Sequence, residues 1–286
     1  MGAPTKTISF QGVPGAYSHE ACLEAFPDMD SLPCDSFEEA IAAVKEGRAG
    51  LAMLPVENST YGRVADIHHL LPESGLHIIG EHFLRVHINL LAVPGAALAD
   101  IRAAMSHTVL LGQCRDFLRA NAITPLTGAD TAGSAQIVAA KADRSTAALA
   151  SELAGDIYGL DVLARHIEDQ SNNTTRFLVM SPEPKFAPKG DVLTTFVFRV
   201  RNIPAALYKA MGGFATNGVN MIKLESYMVG GNFTATQFYA DIEGHPDDPA
   251  VARAMEELDY FTDHLQILGV YPVHPFRRTP ANGHDL

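Results

Sequence analysis

Ser181-Pro182-Glu183-Pro184-Lys185-Phe186-Ala187-Pro188-Lys189-Gly190 holds three prolines and a glycine, so neither a helix nor a central strand can run through it. This linker, 183–191, divides the 286-residue chain into a long part and a short one. Downstream, strand-like runs at 192–201, 219–229, 233–242 and 264–270 are interleaved with helical periodicity at 205–216 and 249–258. That order is βαββαβ, the ferredoxin-like split unit, with Gly230-Gly231-Asn232 as the hairpin turn between its middle strands. The tail at 272–286, with Pro272, Pro275, Pro280 and Gly283, reads as loose.

Upstream, short apolar runs alternate with amphipathic segments. Strands are expected at 7–10, 50–56, 77–80, 87–93, 147–150 and 177–180. Helices are expected from about Ser18, then at 36–46, 64–71, 98–105, 110–120 and 132–142, with a short one ending at Tyr158. Ser36-Phe37-Glu38-Glu39 is a capping box, and Gly47 closes the helix that it opens. Strands alternating with helices imply an α/β fold with mostly parallel sheets covered on both faces.

Composition narrows the function classes. A formal charge of −12 without clustered Lys or Arg argues against a nucleic-acid surface, although a few local cations suffice for a small anion. Three cysteines at spacings matching no zinc knuckle or disulfide framework read as reduced cytosolic thiols. Met1-Gly2-Ala3-Pro4-Thr5-Lys6 leads straight into a strand, and no apolar run approaches membrane-spanning length, so a soluble, cytoplasmic protein is expected.

Polar loops at strand ends carry the candidate chemistry. Gln11-Gly12-Val13-Pro14-Gly15-Ala16-Tyr17-Ser18 precedes a helix with Ser18 as the expected N-cap. Its glycines admit a close ligand, although the Gly-x-Gly-x-x-Gly spacing of a dinucleotide site is absent. Glu57-Asn58-Ser59 follows an apolar strand and offers an acid, an amide and a hydroxyl; the same residues also fit a helix cap. Ser106 is expected to cap a helix whose first turns carry Gln113, and Asp130-Thr131-Ala132-Gly133-Ser134 opens another. Asp169-Gln170-Ser171-Asn172-Asn173 is a run of hydrogen-bonding side chains, and Thr174-Thr175-Arg176 then sets two hydroxyls and a cation at the mouth of a core strand. An ordinary turn with a solvated arginine fits as well. There are twelve histidines, among them the adjacent His68-His69, but no metal-ligand spacing and no Gly-x-Ser-x-Gly elbow. No metal site is expected.

Several of these motifs stand in register with one family. Phe10-Gln11-Gly12 with Gly15-Ala16-Tyr17-Ser18, Leu54-Pro55-Val56-Glu57-Asn58-Ser59, Ser106-His107 with Gln113-Cys114, and Asn173-Thr174-Thr175-Arg176-Phe177 occur in the order found in prephenate dehydratases. The chain resembles that family over 7–271. The βαββαβ part, with Pro204-Ala205-Ala206-Leu207-Tyr208 and Leu224-Glu225-Ser226, resembles its ACT regulatory domain.

The resemblance implies a catalytic region at 1–182 with two lobes like those of periplasmic binding proteins. One lobe is about 1–80 with 172–182 and the other about 84–168, with hinges near 81–87 and 165–171; an ACT domain follows at 192–271. It implies conversion of prephenate to phenylpyruvate, carbon dioxide and water without a cofactor, because the expelled ring hydroxyl takes the electron pair released by decarboxylation. Thr175 would be the essential group, with Glu57 and Asn58 beside it in the catalytic set. Ser59, Gln113, Ser106, Thr174, Arg176, Gly15 and Tyr17 would contact substrate. If the segment is extended, Thr175 and Arg176 face opposite ways, so Arg176 either binds a carboxylate or braces the loop.

Phenylalanine would act as feedback effector at Pro204, Ala205, Ala206, Leu207, Asn220, Leu224, Glu225 and Ser226, between paired ACT domains of a homodimer or homotetramer. Two departures bear on that site: Ala205-Ala206-Leu207 stands where Gly-Ala-Leu is usual, and Tyr227-Met228 where Arg-Pro is usual. The alternatives are arogenate as substrate, a binding module without catalysis, and an amino-acid-responsive regulator, which would need a nucleic-acid element.

Overall fold

In the computed structural model, which describes residues 5–201, 203–228 and 235–278, the capped and alternating segments form an α/β chain. The elements of its first part are β1 (Thr7–Gln11), α1 (Tyr17–Ala25), β2 (Asp30–Cys34), α2 (Phe37–Lys45), β3 (Leu51–Asn58), β4 (Gly62–Arg63), α3 (Ala65–Leu70), β5 (His77–Arg85) and β6 (Asn89–Ala92). There follow β7 (Ala103–Ser106), α4 (Thr108–Gln113), α5 (Arg115–Ala120), β8 (Thr124–Thr127), α6 (Thr131–Lys141), β9 (Thr146–Ala150), α7 (Glu152–Tyr158), β10 (Asp161–Ala164) and β11 (Thr174–Ser181). The last part is β12 (Val192–Val200), α8 (Ala206–Thr216), β13 (Met221–Met228), β14 (Ala235–Glu243), α9 (Pro249–Phe261) and β15 (Thr262–Pro272). The expected turn Gly230-Gly231-Asn232, and the tail beyond Arg278, lie outside the described residues.

The chain clusters into two compact units, Met1–Val64 with His82–Phe177, and Ala65–Glu81 with Leu178–Leu286. In the first unit β1 pairs in parallel with both β2 and β3, and the first residues of β11 lie beyond β3. A second sheet has the order β10-β6-β9-β7-β8, with β7 parallel to β8 and β9, and with β6 antiparallel to β9 and β10. Leu90, Leu91, Leu149 and Val138 are among its fully or nearly fully buried core residues.

Four sequence expectations need correction here. The helix expected at 98–105 is a single 3-10 turn, Leu98–Asp100, followed by β7. Alanine-rich Ala103-Ala104-Met105 favours a helix by propensity, but ladder pairing with strands on both sides overrides it. The helix expected at 110–120 breaks at Cys114, whose φ of −122° is not helical. Ser18 is not an N-cap; α1 starts after Ala16 with no side-chain cap. Strands β2, β8 and β10 were not expected, and β2 and β8 carry Pro33 and Pro125 at sheet edges, where a missing N–H is tolerated. Ser36 caps α2 as expected, its Oγ accepting from Glu39 N at 3.2 Å; the Glu39 carboxylate reaches back one residue further than a capping box requires and accepts from Asp35 N at 2.8 Å.

The second unit contains the expected βαββαβ order. Its sheet runs β13-β14-β12-β15 with antiparallel neighbours, and Ile78 of β5 pairs in parallel with Gly269 of β15. A Cβ on Gly269 would lie 2.2 Å from the Ile78 carbonyl oxygen, so only glycine permits this approach. Alternation along β12 sends Phe196 and Phe198 into a core with Phe214 of α8 and Leu258 of α9. The intervening Thr195 is buried too, with its hydroxyl 2.6 Å from Asp241 Oδ1 and 2.7 Å from the Tyr271 hydroxyl. His68 and His69 are spent on ring packing, edge-on to Tyr239 and Tyr227 respectively. Ala205 adopts φ 60°, a left-handed conformation that costs a residue with a Cβ about 1–2 kcal/mol.

Cys22, Cys34 and Cys114 are free and buried. Burial pushes the Cys22 thiol up to about 12 and raises the other two, so all three stay protonated at neutral pH. On α1, burial and then the neighbouring Glu24 and Glu152 push the Glu20 carboxyl up to about 7. A raised carboxyl pKa contributes stability at low pH that is lost as pH rises through about 7. Glu20→Gln should therefore leave the melting temperature unchanged near pH 4.5 and raise it by several degrees near pH 8.5. Equal melting temperatures at both pH values would contradict the placement of Glu20 among these acids.

Candidate active site

The polar run after β3 meets the polar start of β11. Partners step down one strand as they step up the other: Ser59 with Thr174, Asn58 with Thr175, Glu57 with Arg176. The two segments are therefore antiparallel, and successive residues face opposite sides. On one side Asn58 Nδ2 donates to Asn173 Oδ1 at 2.7 Å and to Thr175 Oγ1 at 3.0 Å. Asn58 Oδ1 accepts from the Thr60 and Tyr61 amides at 2.9 and 3.0 Å, an Asx turn that holds the side-chain amide in place. On the other side Arg176, 2% exposed, donates to Glu57 Oε1 at 2.8 Å.

Ser59 Oγ donates to the Asn172 carbonyl at 2.7 Å and accepts from Thr174 N at 2.9 Å, so it stitches the two loops. Thr175 accepts from Asn58, and its own hydroxyl hydrogen has no acceptor among the described residues. That leaves a positioned donor.

Beside this apposition is a cavity of about 340 Å³ lined by Thr60, Tyr61, Gly112, Gln113, Arg115, Glu168, Asp169, Gln170 and Asn173. Gln113 is 8% exposed, and neither its amide nitrogen nor its amide oxygen has a partner among the described residues. An unpaired buried amide costs about 1–3 kcal/mol, so a ligand with matching donors and acceptors gains here. Tyr61 Oη donates to the Val109 carbonyl at 3.0 Å and ties the loop after β3 to α4.

The remaining sequence-predicted residues are placed differently. Ser106 is fully buried, donates to the Leu149 carbonyl at 2.7 Å, and does not cap α4 as expected; the cap is His107, whose ring Nδ1 accepts from Val109 N at 3.3 Å. Ser106 is the last residue of β7, the strand that stands where a helix was expected, so the next helix begins one residue later, with His107 as its cap. Gly15, at φ 89°, packs on α7: its carbonyl accepts from Ser151 Oγ at 2.6 Å, and a Cβ would lie 2.8 Å from Ala154 Cα. Tyr17 donates to the His87 carbonyl at 2.9 Å; burial raises its phenol well above the usual value, so it remains a donor. Tyr17 lines a separate cavity of about 540 Å³ with Gly12, His107 and Asp130, whereas Gln113 does not. Thr174 is buried, with Oγ1 3.5 Å from Arg85 Nη1.

Among the expected effector residues, Pro204, Ala205, Ala206 and Leu207 open α8, and Asn220 lies past its other end, about 16 Å along an 11-residue helix. Asn220 Nδ2 donates to Glu243 at 3.0 Å, and Leu224, Glu225 and Ser226 lie on β13, the first strand in its sheet order.

The family model described as prephenate dehydratase matches residues 8–185. The chain belongs to the prephenate dehydratase family. Its reaction is accordingly the decarboxylating dehydration of prephenate. Among similar proteins, a bifunctional N-acyl-homoserine lactone acylase/prephenate dehydratase of Komagataeibacter europaeus is 51% identical, covering 96% of this chain and 99% of that protein. Arogenate dehydratase/prephenate dehydratase 1 of Arabidopsis thaliana is 38% identical, covering 93% of this chain and 72% of that protein. Two solved structures superpose well. A quorum-quenching acylase has TM-score 0.90 and 52% identity, covering 95% of this chain and 100% of that one. The prephenate dehydratase of Arthrobacter aurescens in complex with L-Phe has TM-score 0.85 and 29% identity, covering 93% and 90%.

Family motifs do not point to Arg115 or to the way Asp169 anchors the cavity. Asp169 N donates to the Gln113 carbonyl at 2.6 Å, while its carboxylate accepts from the Arg115 and Asp116 amides at 3.0 and 3.2 Å. Those partners are more than fifty positions away in sequence, and the only local signal was the polar run at 169–173.

The Glu57–Arg176 pair yields a stability prediction. Glu57→Ala leaves a buried guanidinium without this carboxylate, which costs about 2–4 kcal/mol, less than for a fully enclosed pair because Glu57 is 30% exposed. Urea unfolding measures it, and a change below about 0.5 kcal/mol would show that the pair does not brace the strands.

Proposed function

We propose that the chain performs this dehydration with Thr175 as the donor to the departing ring hydroxyl. The observation that carries the reading is the Thr175 hydroxyl, fixed through its oxygen by Asn58 while its hydrogen has no acceptor among the described residues. Loss of the ring carboxylate as carbon dioxide leaves its bonding electrons in the ring, which becomes aromatic as the C–O bond breaks. The oxygen leaves as water once it gains a proton. A threonine hydroxyl is too weak an acid to supply that proton alone at neutral pH, so Thr175 stabilises the developing charge by hydrogen bonding and relays a proton from solvent. Gln113, with Asn58 and Ser59 holding the loop, orients the substrate, and Arg176 serves as a brace in its pair with Glu57.

We read 1–182 as a catalytic region of two lobes, about 1–80 with 172–182 and about 84–168, and 192–271 as an ACT domain that binds phenylalanine in a homodimer or homotetramer. The βαββαβ topology supports that reading, as does the L-Phe complex of the A. aurescens relative. Ala205 in the left-handed region is where the usual glycine would be unstrained, so effector affinity here is expected to be weaker than in relatives with Gly-Ala-Leu.

Thr175→Val, which keeps the β-branched shape, should lower kcat for phenylpyruvate formation roughly 10²–10⁴-fold with little change in KM. Activity within a few-fold of wild type would remove Thr175 from the chemistry. Supplying arogenate and measuring phenylalanine release settles the substrate, with prephenate expected to be the better one.

A second reading is favoured by the 51% identity to the bifunctional acylase: hydrolysis of the amide bond of N-acyl-homoserine lactones. It predicts release of free homoserine lactone by the purified protein. Intact lactone after prolonged incubation with enzyme that still turns over prephenate would exclude it.

A further inference from the structure

Prephenate carries two carboxylates, and Arg176, the cation that the sequence offers for them, is buried against Glu57. Building on the reading that the Gln113 cavity receives prephenate, we propose that Arg115 binds one of its carboxylates and is the charge-recognition residue of the site. Arg115 opens α5 and is the one Lys or Arg among the described residues lining that cavity. Its backbone position is fixed, because Asp169 Oδ2 accepts from Arg115 N at 3.0 Å. Its guanidinium, in contrast, makes no hydrogen bond or ion pair with any described residue.

The acids of the cavity do not consume that charge. Glu168 accepts from Ile88 N at 2.9 Å and pairs with His87 Nδ1 at 3.1 Å, while both oxygens of Asp169 accept from backbone amides of α5. Gly112 leaves the guanidinium open: a Cβ there would lie 3.6 Å from Arg115 Nη2 and 3.1 Å from Tyr61 Oη, filling the space between them. A planar fork of donors beside an unpaired glutamine amide matches a carboxylate with an adjoining carbonyl, the keto-acid side chain of prephenate. The exposed arginine can meet this group as substrate arrives, and Gln113 supplies the amide beside it.

The test is steady-state kinetics of Arg115→Gln and Arg115→Lys with prephenate at low and at high ionic strength. Arg115→Gln should raise KM roughly 10- to 100-fold while kcat stays within about threefold, the pattern of lost uniform binding. Arg115→Lys should recover part of the loss, because it restores the charge without the fork. Added salt should raise KM of the wild type more than that of Arg115→Gln. An unchanged melting temperature separates this from a folding defect. KM of Arg115→Gln within about twofold of wild type, in an enzyme that forms phenylpyruvate, would overturn the assignment and leave the reaction standing. A wild type that forms no phenylpyruvate would instead overturn the reading of the cavity itself, and this assignment with it.

Discussion

Everything at the candidate site depends on one antiparallel apposition, the end of β3 against the start of β11. It brings residues more than a hundred positions apart into register, Asn58 onto Thr175 and Glu57 onto Arg176. Because a strand alternates its side chains, that single register sends the amide–hydroxyl pair to one side and the ion pair to the other. A slip of one residue would exchange them, burying a threonine where the guanidinium now lies. The ion pair is thus a register device as much as a source of stability, which is a recognised use of buried charge.

The same contact organises the cavity. Asn58 carries an Asx turn that fixes the Thr60 and Tyr61 amides, and Tyr61 reaches across to the Val109 carbonyl at the start of α4. From the opposite side, Asp169 holds the break between α4 and α5, so that Gln113 and Arg115 both line the cavity. On the proposed reading, the donor to the leaving group stands on paired strands and the anion receptor at a helix start.

Much of this was legible in the sequence. The Pro-rich stretch at 181–190 announced the βαββαβ unit, and motif order pointed to Asn58, Gln113 and Thr175. Strand alternation already separated Thr175 from Arg176, but not the partner of Arg176, since an ion pair 119 positions apart leaves no local pattern. Ser106 and Gly15 illustrate a different gap. Both stand in family motifs, yet they hold backbone carbonyls or close helix contacts, and a motif does not distinguish touching a ligand from supporting a neighbour that does. The strand misread as a helix at 98–105 is alanine-rich, so propensity and tertiary pairing disagreed, and pairing won.

The central claim is that Asn58 and Thr175 act as one unit. A double-mutant cycle on kcat/KM for prephenate, built from Asn58→Ala, Thr175→Val and the double variant, tests it most directly. The account predicts strong non-additivity, with the double variant little worse than the poorer single one, because either change removes the same positioned donor. Losses that simply add would contradict it.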